Sequence, residues 1–175
     1  MFLESSQYER VRKEVTEWQL ETFGEQSIAE SNRKFKKELA ELKAAHSKLA
    51  LNGLVSILTL GATIVVLCMC LLSVTFLPDT LELFLLGLLF FNKSTDNFNI
   101  NRESMYEEMA DCYFMIMNME GSTLRSKAQQ IEEFNVFGLD VGVYIERKLI
   151  KNKRRKWEVD HEGLYSHVKT QGQQQ

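Results

Sequence analysis

Residues 49–91 read LALNGLVSILTLGATIVVLCMCLLSVTFLPDTLELFLLGLLFF, and the first thirty of them, Leu49 to Pro78, contain no Asp, Glu, Lys, Arg or His. A helix needs ~20 apolar residues to cross a bilayer, so this run is long enough to do so. Its single turn signal is Leu77-Pro78-Asp79-Thr80, which holds the only proline of the chain. The division is unequal. Before the proline lies an arm of spanning length, whereas Leu83 to Phe91 amounts to about 14 Å of helix at the usual rise per residue. The other regions of the 175-residue chain are charged, so an average composition typical of a soluble domain conceals a strongly segregated one.

Working outward, residues 7–23 read as a helix that Gly24 stops. Ser27-Ile-Ala-Glu30 has the spacing of a capping box, and predicts a second helix from Ser27 to about Lys48 with Phe35, Leu39 and Leu42 on its apolar side. Beyond the apolar run, Asn92–Asn101 reads as a polar loop. Ser104-Met-Tyr-Glu107 repeats the capping spacing and predicts a helix to about Met119, ended by Gly121. A last helix is expected over Val141–Trp157, followed by a loosely structured tail, His161–Gln175. No strand alternation stands out, and the chain reads as all-α.

Several classes are disfavoured. The start, MFLESSQYERVRKE, is charged within four residues and has no signal-peptide core. Three cysteines, Cys68, Cys70 and Cys112, do not make a disulfide framework, and packing accounts for them better than soft-metal binding. Seven of the ten residues from Arg147 to Lys156 are basic. Without interleaved aromatics or a nucleic-acid-binding fold motif, that run does not point to nucleic acid.

The chemistry is concentrated in two acidic pairs, Glu38-Leu-Ala-Glu41 and Glu108-Met-Ala-Asp111. Residues three apart share a side of a helix, so each pair presents two carboxylates together. Phe35, Leu39 and Leu42 stand at −3, +1 and +4 from Glu38, and Met105, Met109 and Cys112 at the same offsets from Glu108. Antiparallel packing of the two apolar stripes would therefore gather four acids. Such a group repels itself unless it is neutralised, and all-oxygen ligation without His or Cys favours magnesium, or manganese, over zinc. The plainer alternative is a solvated face, with Lys34 and Lys37 pairing Glu38 and Glu41 at i,i+4.

At these residues the chain resembles the MazG-like nucleoside triphosphate pyrophosphohydrolases. Lys37-Glu38-Leu39-Ala40-Glu41 and Glu107-Glu108-Met109-Ala110-Asp111 are similar to the family's paired acidic motifs. The leading lysine is similar to a phage and bacterial branch, the dATP/dGTP pyrophosphohydrolase-like proteins. Trp18-Gln19-x-x-Thr22-Phe23-Gly24 and the segment Lys148 to Trp157, with Gly163 and His167-Val168-Lys169, resemble that branch's flanking motifs. The likeness covers roughly residues 8–46 and 102–169.

The resemblance implies an all-α, MazG-like helical bundle over 1–48 and 94–169, interrupted by an apolar insertion at 49–93 and followed by a disordered tail at 170–175. It implies magnesium held by Glu38, Glu41, Glu108 and Asp111, with Glu107 helping to orient a water. Trp18, Gln19, Lys148, Asn152 and Arg155 would contact a nucleoside triphosphate, in a homodimer or homotetramer with a cytoplasmic catalytic domain.

The insertion is where the chain departs from the family. Sixty-six residues separate Glu41 from Glu108, where the family has a short connection. One crossing of a membrane would put the two acidic pairs on opposite sides. Three arrangements avoid this: a helical hairpin or re-entrant loop touching the membrane through 49–91, extra helices packed in a soluble oligomer, or foreign sequence. The hairpin is the expectation. The competing reading of the whole chain is a membrane-anchored helical interaction protein without catalytic activity.

Overall fold

The computed structural model describes residues 7–72, 78–159 and 165–167. The fold is all-α: helices α1 (Tyr8–Phe23), α2 (Ile28–Leu72), α3 (Pro78–Ile116), α4 (Gly121–Glu132) and α5 (Val141–Lys153) are followed by a single two-stranded antiparallel ribbon, β1 (Trp157–Val159) with β2 (Tyr165–His167). The chain divides into two compact units. One comprises Met1–Glu41 with Tyr106–Gln175, the other Leu42–Met105.

In the first unit, α1 buries Tyr8, Val11, Val15 and Trp18 on one stripe. It stops at Gly24, whose φ of 71° is the left-handed conformation that glycine adopts without steric cost. Ser27 caps α2 as expected, its Oγ accepting from the Glu30 amide at 3.1 Å. Arg12 of α1 donates to the carbonyls of Met117 (2.9 Å) and Met119 (3.2 Å), satisfying acceptors just past the end of α3. Asp140 caps α5 through the Gly142 amide at 2.9 Å, and Tyr106 of α3 stacks on Tyr144 of α5 with ring centroids 5.0 Å apart. The centre of this unit is Phe35, Met109, Tyr113, Phe114, Ile131 and Ile145, all essentially inaccessible to solvent.

In the second unit the distal part of α2 and the first part of α3 lie antiparallel. Ser56 is opposite Ser94, with their hydroxyls 2.8 Å apart, and Thr63 is opposite Gly87.

Several boundaries differ from the sequence reading. Helix α2 does not end near Lys48. The sequence offers no proline before Pro78, and isolated Gly53 and Gly61 each cost only about 1 kcal/mol in a helix. Asn92–Asn101 is helical rather than a loop, because its polar side chains find helix-compatible partners: Thr95 Oγ1 donates to the Phe91 carbonyl and Asn101 Nδ2 to that of Asn97. Ser104 is consequently interior to α3 and caps nothing. Helix α3 ends at Ile116, and Gly121 (φ 60°) opens α4 instead of closing α3. Helix α5 ends at Lys153, leaving Trp157 in β1. Pro78 is the first residue of α3, a position that suits proline because no intrahelical donor is needed there. Leu77 and the 170–175 tail lie outside the described residues, as do Gly163, Val168 and Lys169, whereas His167 belongs to β2.

Candidate metal centre

The apolar stripes set the position of the acids. Phe35, Met105, Met109, Cys112 and Leu42 are buried, and Leu39 is half-buried. Within the first unit α2 and α3 run antiparallel, with Asn118 Nδ2 donating to Ser31 Oγ at 3.2 Å. In this register Glu38, Glu41 and Glu108 converge, each with a carboxylate oxygen within 4.8 Å of the others. Glu41 is exposed, and Glu38 and Glu108 are half-buried.

The lysines foreseen as partners are not used in that way. Lys34 pairs with Glu30 at 3.2 Å, and among the described residues none of Glu38, Glu41 and Glu108 forms an ion pair. The electrostatic consequence is large. Burial, followed by the charges of Asp111, Glu41 and Glu108, pushes Glu38 up from 4.5 to about 7. Glu108 is raised by burial and then by Asp111.

Asp111 is held differently. Lys148 Nζ of α5 lies 2.5 Å from its Oδ2, with both side chains largely shielded from water. Burial still raises the Asp111 carboxyl above its ordinary range, because desolvation outweighs the lowering by Lys148 and Arg155. Glu107 points elsewhere, an exposed residue 3.6 Å from Lys151. The structure therefore brings three of the expected acids together, sets Asp111 beside them on a lysine, and turns Glu107 to an outer ion pair.

The basic and aromatic residues form a run next to these acids. Asn152 is buried, accepting from Arg155 Nη1 at 3.1 Å through its side chain and from Trp157 Nε1 at 3.1 Å through its carbonyl. Trp18 is buried among Phe23, Phe114 and Trp157, with ring centroids 5.2, 6.0 and 5.9 Å away. Gln19 is also buried. Its amide donates to the Phe114 carbonyl at 2.9 Å, while its Oε1 has no hydrogen-bond partner. The sequence reading missed Lys127 of α4, whose ammonium sits 4.1 Å from the centroid of the Phe35 ring, one turn from Glu38. No spacing could have revealed it, since the contact joins distant segments.

The donor set suits a hard divalent cation. Three carboxylates supply oxygen alone, and burial followed by the surrounding acids pushes the Cys112 thiol up, which favours its protonated form beside them. A divalent ion would also relieve the repulsion that raises Glu38 and Glu108. Comparison with protein-family models, with curated proteins and with solved structures finds no match.

Proposed function

We propose that this protein is a metal-dependent hydrolase of the MazG-like kind, cleaving nucleoside or deoxynucleoside triphosphates to the monophosphate and pyrophosphate. The observation that carries the reading is the convergence of Glu38, Glu41 and Glu108 with no ion pair to any of them among the described residues, burial and mutual repulsion outweighing the lowering by Lys37 and Lys148. Like charges desolvated together raise the free energy of the folded chain, so their persistence at a helix interface is best accounted for by a ligand of opposite charge.

Glu38, Glu41 and Glu108 would hold magnesium, with manganese as the alternative, and Asp111 would be free to join them if Lys148 turned to substrate phosphate. A divalent ion held there would supply polarisation of the phosphate chain and a more acidic attacking water. A deprotonated Glu38 or Glu108 accepts a proton from that water, while Lys148, Asn152 and Arg155 orient the triphosphate, Arg155 through its fork of donors and Lys148 as a point charge. Trp18 and Gln19 support the base side, and Glu107 positions Lys151. The active form is a homodimer or homotetramer with its acidic site on the cytoplasmic side of a membrane that residues 49–91 contact. Among the described residues one helix, Ile28–Met69, is long and apolar enough to cross a membrane.

A second reading, an anchored helical interaction protein without activity, is favoured by the Lys148–Asp111 pair, which occupies one acid of the set. Product analysis separates them. Incubation of the full chain with nucleoside triphosphates and magnesium should yield pyrophosphate and monophosphate in equal amounts. Orthophosphate with diphosphate, or no product, would reject the proposed cleavage.

A further inference from the structure

We propose that the apolar part of the unit Leu42–Met105, residues 49–91, enters a lipid bilayer as a closed pair of antiparallel helices whose outer surface faces acyl chains and whose two flanks stay on one side. This deepens the membrane part of the reading above and is independent of the hydrolase part.

The pair is built inside out relative to a water-soluble one. Its apolar side chains face outward: Leu54, Ile57, Leu58 and Ile64 on α2, and Leu86 and Leu89 on α3, are all at least 49% exposed. Only 6% of the most apolar stretch of α2 is buried. Its seam instead places small and hydroxylic residues at the closest approaches, with Phe98 packed on Gly53 at the end near the flanks. Thr63 and Ser94 are buried, the Ser56 and Ser94 hydroxyls meet at 2.8 Å, and a Cβ on Gly87 would lie 2.7 Å from Thr63 Oγ1. Water drives leucines together and leaves hydroxyls outside. Hydrocarbon offers no such drive, so helices in lipid associate through small residues and interhelical hydrogen bonds.

The backbone and hydroxyl groups fit the same solvent. Ser56, Thr59 and Thr63 return their hydroxyls to the carbonyls of Asn52, Val55 and Thr59 at 2.8–3.0 Å, leaving no orphan donor to desolvate. Lipid is a better occupant than a second copy because the exposed residues cover every side of α2 except the one turned to α3. A partner helix needs only a stripe of about 100°. Lys43 and Lys48 before the apolar run and Lys93 after it suit one anionic membrane face.

The full chain is incubated with phosphatidylcholine/phosphatidylglycerol vesicles whose acyl chains carry bromine, a contact quencher of tryptophan. Leu58→Trp and Leu86→Trp are each compared with the unsubstituted chain, and Ser56→Cys/Ser94→Cys is treated with a mild oxidant in the same vesicles. The proposal predicts loss of most of the added emission at both positions together with rapid 56–94 cross-linking. Cross-linking without quenching would overturn it in favour of a second copy. Quenching of Leu58→Trp alone, or no cross-link, would overturn it in favour of a single span. Each outcome leaves pyrophosphate release to be read separately.

Discussion

Lys148 Nζ lies 2.5 Å from Asp111 Oδ2, so the expected metal ligand that has an ion-pair partner is the one outside the cluster of Glu38, Glu41 and Glu108. This pair separates an acid held on a lysine from three that form no ion pair, although Lys148 also acts on Glu108 from a distance. Breaking it strands Asp111 in a poorly solvated place. Lys148→Met is expected to cost about 2–3 kcal/mol, somewhat below the range for fully buried pairs. Urea unfolding measures it, and added magnesium should recover part of the loss. An unchanged midpoint would show that the pair contributes nothing.

The cluster also makes stability depend on pH in a defined sense. Glu38 is raised on folding from 4.5 to about 7, so between those values the folded state binds more protons than the unfolded one. Stability therefore falls as pH rises through that interval and levels off above it. With allowance for solvent screening of a half-buried group, the loss is about 1–2 kcal/mol. Thermal melts in chelator at pH 5 and pH 8 test this, with the lower melting temperature expected at pH 8 and the gap narrowed by magnesium.

Glu38→Gln removes that penalty at its source. The variant should melt higher than the wild type at pH 8 in chelator, lose its response to magnesium, and release no pyrophosphate. A variant that is less stable than wild type would mean that the carboxylate serves the fold and not a ligand.

Arg12→Met provides the contrast. It uncaps the end of α3 by removing two charged hydrogen bonds to the Met117 and Met119 carbonyls, at a cost of about 1.5–3 kcal/mol. Its melting temperature should drop while the shift produced by magnesium remains that of the wild type.

What could be read from the sequence was whatever nearest neighbours dictate. Gly24 and Ser27 announce a helix end and a helix start, and the offsets of the acids from Phe35 and Met105 foretell that the pairs border a buried face. The residues 92–101 misled because their asparagines and hydroxyls favour loops in isolation, whereas here they bond within the helix or, as Ser94 does, across to α2. Helix α4 was not foreseen, because its N-terminus lacks a side-chain cap and Gly121 reads as a helix end rather than a start. The partner of Asp111 was not legible at all. Lys148 is one of seven basic residues in a run, and only the docking of α5 selects it.

The most direct test of the metal-site reading is pyrophosphate release by the full chain across a panel of nucleoside and deoxynucleoside triphosphates with magnesium, wild type against Glu108→Gln. Glu108 joins the cluster from α3, so its neutralisation should lower the rate at least about a hundredfold while the chain still folds. A rate indifferent to Glu108→Gln, or no pyrophosphate from any substrate with wild type, would contradict the assignment of Glu38, Glu41 and Glu108 as a catalytic metal centre.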